Sequence, residues 1–588
     1  MLRTGIPRLI RGKILAGSLV LAGSLLLTPP LAAQRAAVEG KNGMVTSAQE
    51  LASQVGVQIL KKGGNAVDAA VATGMALAVV YPQAGNIGGG GFMVIHTATG
   101  KDTVIDYRER APKSATRDMY IGPDGTVLKG EGSSVFGWKA GGVPGTVAGF
   151  YLAFQKYGSG KLKWADLVEP AYQLASGGFP MTQGLIAAFE GDKANLALYP
   201  ESKKIFLNDG KGFTVGQKWT QKDLGTTLKR IQKDPRDFYA GKTAQLIADA
   251  MTSHGGSIAL EDLKGYKPTE REPLRTNYRG YDIVTMPPPS SGGIVISQIL
   301  KMIEPYDVSA MGPGSAAKFH LFAEAQKRAY RDRAEYMGDA DFVQIPIAKL
   351  LDPEYLKGRM ADFEPSKATP AAMIKPGYGS FVFVVGKESH ETTQFSVVDK
   401  AGNAVSNTYT INDWFGSRVT IPGAGFLMNN EMDDFTAKVG VPNLYGLLQS
   451  EANAIVPGKR PLSSMSPTIV SKGGKVVLVT GSPGGSTIIN TVLEIITNVI
   501  DHKMPVMQAV EYPRFHSQWM PDTLFYERYG MSPDTMAKLT EMGYKLKEGT
   551  PWGSPYQGDG QTVGVDWEKG LLLGASDPRD ADGRAIGY

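Results

Sequence analysis

Apolar residues recur at helical spacing through residues 47–62, where Leu51, Val55, Ile59 and Leu60 mark one face and Gly63-Gly64 ends the pattern. Ser47 and Glu50 stand at capping-box spacing, which predicts the helix start. The run Val67 to Val80 is rich in alanine and valine and apolar nearly all round, so it predicts a buried helix that stops before Pro82. Phe92–His96 and Thr103–Tyr107 read as a hairpin, and residues 145–350 are mostly helical in pattern. The pattern changes at residue 392. Gln394–Asp399 and Ala404–Ile411 alternate around the turn Lys400-Ala401-Gly402-Asn403. Thr468–Ser471 with Lys475–Thr480, and Gln561–Asp566 with Leu571–Ala575, form two further hairpins, and Ile488 to Ile500 is a long apolar helix. Hairpins with helices before and between them predict stacked α/β layers around antiparallel sheet.

The chain has 588 residues, 42% hydrophobic and 20% charged, which is the composition of a folded soluble protein. Arg3, Arg8, Arg11 and Lys13 precede an apolar stretch from Ile14 to Leu27, and Thr28 to Ala33 supplies a breaker and small residues. This is the pattern of a cleaved export signal over residues 1–33, too short for a comfortable membrane span. Those residues carry four basic and no acidic side chains, so the net charge of +5 falls to +1 without them. Nothing then points to nucleic acid or an anionic membrane. The absence of cysteine excludes thiolate catalysis and disulfides, and the expected location is periplasmic or secreted.

Candidate chemistry centres on Thr392-Thr393, where a loose stretch from Glu364 to Glu391 meets an alternating strand. Cleavage before Thr392 would give one residue both a hydroxyl nucleophile and an α-amine of reference pKa about 7.7–8.0. The alternative is that threonine simply opens a strand. Gly481 to Ser486 lies between a strand and a helix, which suits either an oxyanion site or a structural turn. It lacks the Lys-Ser/Thr ending of a nucleotide-binding loop. The acids and amides of Asn429 to Asp434 suit either ammonium recognition or a solvated loop, and Arg108 suits a carboxylate or an ordinary ion pair. The six histidines (His96, His254, His320, His390, His502 and His516) show no metal-ligand spacing and no serine-triad context, so no metal or cofactor is expected.

Several strings in one order make the chain similar to the γ-glutamyltranspeptidase family. They are Asn86 to Phe92, Asp106 to Glu109, Thr392-Thr393, Asn429 to Phe435, Arg460 to Pro467, Gly481 to Ser486, and Ser576 to Arg579. The resemblance implies an α+β fold, a four-layer αββα sandwich of the N-terminal nucleophile hydrolase type. It implies a precursor that cuts itself into a large subunit, 34–391, and a small one, 392–588, sharing one core as a heterodimer. Thr392 would attack a γ-glutamyl carbonyl of a glutathione-like donor, with water or an amino acid or peptide as acceptor. Thr410 would support the hydroxyl, and Gly484 and Gly485 would bind the oxyanion. Arg108, Ser463 and Ser464 would hold the α-carboxylate, Asn412, Glu431 and Asp434 the α-ammonium. Tyr445, within Val439 to Ser450, would belong to a loop covering the pocket.

Two places depart from the family pattern. Gln394 stands where bacterial relatives commonly have histidine, and Asp413-Trp414 is unusual beside Asn412, which leaves acceptor preference open. Two rival readings are a glutaryl-type cephalosporin acylase and an exported binding protein without catalysis. The first has no use for an ammonium-binding acid pair; the second predicts damage at Thr392 or the glycine turn, and both are intact.

Overall fold

Two seven-stranded antiparallel sheets face each other across an apolar seam. A computed structural model describes residues 35–377 and 392–588, so the export signal expected over 1–33 lies outside the described residues. The first sheet runs Val38–Gly40, Leu571–Ser576, Gln561–Asp566, Lys475–Thr480, Thr468–Lys472, Tyr281–Thr285 and Leu274–Tyr278. The second runs Arg584–Gly587, Gly43–Ser47, Thr393–Asp399, Ala404–Thr410, Gly90–His96, Asp102–Asp106 and Thr269–Arg271. Val94, Val398, Ile469, Val479 and Val563 fill the seam, and Ser396 Oγ and Ser406 Oγ cross it to the carbonyls of Gln561 and Thr480, each at 2.7 Å. Helices cover each outer face. Glu50–Lys61 and Ala66–Val80 pack on Phe395 and Val397 of the second sheet; Gly292–Ile303, Ala316–Tyr336 and Ile488–Ile500 pack on Ile283 and Leu478 of the first. The αββα sandwich is therefore as expected. Both sheets draw strands from either side of residue 392.

Most elements match their sequence signals. The helix Ala66–Val80 is buried at every position, and Ile488–Ile500 has the expected bounds. Three strands of the region read as helical were not expected: Thr269–Arg271, Leu274–Tyr278 and Tyr281–Thr285. Their hairpin turns at Arg279-Gly280, with φ of 50° and 78°, and an arginine where asparagine usually stands hides the signal. The capping box at Ser47 is also corrected. Ser47 ends a strand paired to Arg584, and the helix is capped by Gln49, whose side chain accepts from Leu51 N at 2.6 Å.

Candidate active site

Strand register brings the two threonines together. Thr393 pairs with Tyr409 and Gln394 with Thr408, so Thr392 falls opposite Thr410. Side chains alternate across a strand. Residues 394 and 396 on one strand, with 406 and 408 on its neighbour, face the seam; their parity carries 392 and 410 to the same side. The Thr392 hydroxyl donates to Thr410 Oγ1 at 3.3 Å, and Thr410 Oγ1 also accepts from Asn412 N at 2.7 Å. Thr393 faces the helical layer, where its hydroxyl is buried and meets no hydrogen-bond partner. The dipeptide thus contains one placed hydroxyl. The run Gly88 to Gly91 makes that placement possible: any Cβ at Gly89 would overlap the Thr410 carbonyl oxygen, and one at Gly91 the Thr408 carbonyl.

The glycine turn stands at the corresponding end of the other sheet. Thr480 closes a strand, and Gly481 to Gly484 lead through a short 3₁₀ turn, Gly485–Thr487, into the helix Ile488–Ile500. Gly484 has φ 124° and Gly485 φ 51°, conformations that disfavour a side chain. Among the described residues neither N–H meets a hydrogen-bond acceptor. Two free donors at a helix N-terminus are suited to a developing negative charge. Tyr445 closes over this turn: its ring occupies the space a Gly485 Cβ would need, and its hydroxyl donates to the Asn412 carbonyl at 2.7 Å.

Beside the threonines lies a buried charged cluster. Arg108 follows the strand Asp102–Asp106, and its Nη1 and Nη2 pair with Glu431 and Asp434. The same guanidinium reaches the carbonyls of Pro461 and Leu462, each at 3.3 Å, and so ties the Asn429–Asp434 string to the string carrying Ser463 and Ser464. Asn429 anchors the first string by donating to the carbonyls of Gly88 and Gly142, each at 2.8 Å, so the segment is buried rather than a solvated loop. Ser463 Oγ accepts from Met465 N at 3.0 Å; Ser464 Oγ accepts from Arg333 Nη2 at 3.3 Å. Burial outweighs the pull of Arg108 and pushes Glu431 well above the ordinary carboxylate range.

These elements border one narrow cavity, whose lining includes Arg108, Thr392, Thr410, Asn412, Glu431, Asp434, Tyr445, Ser463, Ser464 and Gly485 beside Met465 and Ile488. Of the residues expected from sequence only Gly484 lies outside its lining. Gly484 instead borders a neighbouring, larger cleft that also carries Trp414, Trp552 and Asp559. Sequence reasoning missed Glu109, a fully buried carboxylate 3.9 Å from Arg108 whose oxygens have no hydrogen-bond partner; burial pushes its pKa up to about 7. It also missed Tyr330 and Arg333, on one face of the helix Ala316–Tyr336. Tyr330 donates to the Ser486 carbonyl at 2.6 Å, behind the glycine turn. Among the described residues no group of three or more His, Cys, Asp or Glu is arranged to hold a metal ion.

The sequence profile described as Gamma-glutamyltranspeptidase matches residues 52–587. The chain belongs to the γ-glutamyltranspeptidase family. It is 48% identical over 573 residues to the glutathione hydrolase proenzyme of Pseudomonas sp. (strain A14), covering 95% of this chain and 96% of that one. Identity to the glutathione hydrolase proenzyme of Escherichia coli (strain K12) is 48% over 554 residues, covering 94% and 93%. Among solved structures, the cephalosporin acylase from Bacillus halodurans superposes with a TM-score of 0.81 at 27% identity, covering 96% of this chain and 98% of that one.

Within the γ-glutamyltranspeptidase framework both departures have a physical setting. Gln394 is buried in the seam, accepting from Thr408 Oγ1 at 2.6 Å and donating to Ser406 Oγ at 3.1 Å, and its side chain fills the space beside Gly481. It therefore links the strand of Thr392 to the root of the glycine turn without carrying charge. Asp413 pairs with Arg418 Nη2 at 2.7 Å, and Trp414 borders the larger cleft rather than the threonine cavity.

Proposed function

We propose that the chain is an exported, self-processing γ-glutamyl hydrolase and transferase whose nucleophile is Thr392. The observation that carries this reading is the convergence of Thr392, its partner Thr410, the glycine turn and the Arg108–Glu431–Asp434 cluster on one cavity. In the precursor, Thr392 Oγ attacks the carbonyl carbon before it, the peptide bond gives way to an ester, and water hydrolyses that ester. A carboxylate remains on residue 391 and an α-amine on Thr392. In the mature enzyme that amine takes the hydroxyl proton as Oγ attacks the γ-glutamyl carbonyl. The oxyanion receives the N–H groups of Gly484 and Gly485. The C–N bond then breaks, the leaving amine takes the proton, and water or an amine acceptor resolves the ester. The relatives' name, glutathione hydrolase, makes glutathione the expected donor. Export rests on the signal pattern of residues 1–33; among the described residues no helix is long and apolar enough to cross a membrane.

Recognition follows from charge. A γ-glutamyl head group carries one carboxylate and one ammonium. Arg108 with Ser463 and Ser464 is assigned to the carboxylate, and Asn412, Glu431 and Asp434 to the ammonium. Without substrate these opposite charges pair with each other, so a zwitterion can exchange one set of pairs for another without leaving a buried charge alone. Removing one partner of a buried charged contact costs about 2–5 kcal/mol. Arg108→Ala and Asp434→Ala are therefore expected to mature normally and to lose about 30-fold or more in kcat/KM on a γ-glutamyl anilide.

The acylase reading is favoured by the superposition on the cephalosporin acylase and opposed by the acid pair. A glutaryl anilide has the carboxylate but lacks the ammonium, so Asp434→Ala should impair it much less than the γ-glutamyl anilide. Equal losses on the two substrates would remove Asp434 from ammonium recognition.

A further inference from the structure

Arg333 is 1% exposed and lies on the helix Ala316–Tyr336, where the other buried arginines have carboxylates: Arg328 meets Glu324 and Asp362, and Arg331 meets Glu335. Among the described residues Arg333 has none. Its Nε donates to Ser291 Oγ at 2.9 Å and its Nη2 to Ser464 Oγ at 3.3 Å, while Nη1 is buried with no hydrogen-bond partner. Ser291 in turn donates through N and Oγ to the Ser463 carbonyl, at 2.8 and 2.7 Å. The guanidinium therefore sits directly behind the Ser463-Ser464 pair, and Ser464 lines the cavity.

A buried guanidinium whose hydrogen bonds go only to hydroxyls is costly, and burial lowers its pKa to about 10 against the opposing pull of Tyr330 and Asp434. The cost is offset if a negative group enters the cavity. Arg108 is shared with two carboxylates before substrate enters, and Glu109 lies nearby, so a second cation on the carboxylate side adds attraction that Arg108 does not carry by itself. With Arg333 accepted by the lone pairs of Ser464 Oγ, the serine proton is left to point towards the cavity as a donor.

We infer that Arg333 is a positioning residue for the donor's α-carboxylate: it orients the Ser464 hydroxyl and supplies a positive charge with no carboxylate in contact behind the Ser463-Ser464 pair. This rests on the γ-glutamyl reading above and adds a second cation to the carboxylate side of the site. Its range is set by the substrate, since a donor without the carboxylate has nothing for Arg333 to act on.

The test compares γ-glutamyl-4-nitroanilide with 4-aminobutyryl-4-nitroanilide, which keeps the amine and the amide but lacks the carboxylate. Arg333→Gln is expected to raise KM for the first by about 10-fold with kcat within about threefold, the loss typical of one charged hydrogen bond. The kcat/KM for the second should stay within about twofold, and Arg333→Lys should recover part of the lost affinity. Unchanged KM, or equal losses on both substrates, would overturn the inference; the latter would make Arg333 a structural residue. If Arg333→Gln gives no mature enzyme, Arg333→Lys carries the test alone. A KM rise of about threefold on the γ-glutamyl anilide only supports the role, and no selective rise rejects it. A wild-type enzyme with no preference for the carboxylate-bearing anilide would instead refute the γ-glutamyl reading itself.

Discussion

Thr392→Ala is expected to remain one uncut chain and to lose γ-glutamyl turnover on the order of 10⁴-fold or more, the scale seen when a covalent nucleophile is removed. The fold should survive, because both sheets, the seam and the Arg108 cluster are built from other residues. Thr392→Ser, which keeps a hydroxyl at the same strand position, should still cut. The neighbouring Thr393→Val variant is the informative contrast. Its hydroxyl faces the helical layer without a partner, so maturation and turnover should stay close to wild type. Maturation of Thr392→Ala to the same two fragments would assign the nucleophile elsewhere.

Deleting the Gly485 N–H is expected to lower kcat by about 10²–10³. Proline cannot make this deletion cleanly. Gly485 has φ 51°, proline is fixed near −65°, and a Cβ there would overlap the Tyr445 ring. Alanine meets the same ring, so a loss in Gly485→Ala would report displacement of Tyr445 as much as chemistry. An amide-to-ester exchange at Gly485 removes the N–H while keeping φ and adding no side chain. A matured ester variant within threefold of wild-type kcat would exclude this N–H from oxyanion binding.

The layers were legible because sheet and helix periods were written plainly. The helix Ala66–Val80 reads as buried from its uniform apolarity, and the hairpin beginning at Thr393 reads from strict alternation. The same alternation, once the register is known, explains why Thr392 and Thr410 meet. Register itself is a pairing across the sheet and leaves no local mark before the turn is fixed. The strands Leu274–Tyr278 and Tyr281–Thr285 were hidden for the opposite reason: they are partly exposed and joined by an atypical turn.

The supporting residues were hidden by charge. Lys318 to Glu335 contains many ionisable side chains and reads as a solvated helix face, yet every residue of that span is buried. Ion pairs from other elements, such as Arg328 with Asp362, make that burial tolerable. Only when those pairs are known does Arg333 stand out as the one without a carboxylate. Glu109 was overlooked similarly, as the residue after a recognisable arginine, although it shares the same buried cluster.

In the proposed mechanism, peptide-bond cleavage before Thr392 creates the reactive residue. Intact-mass measurement and N-terminal sequencing of purified active protein test it most directly. Two fragments held together under native conditions are expected, the smaller spanning 392–588 and beginning with an unblocked Thr392. A fully active protein that is still one chain, or a small fragment beginning at any other residue, would contradict it.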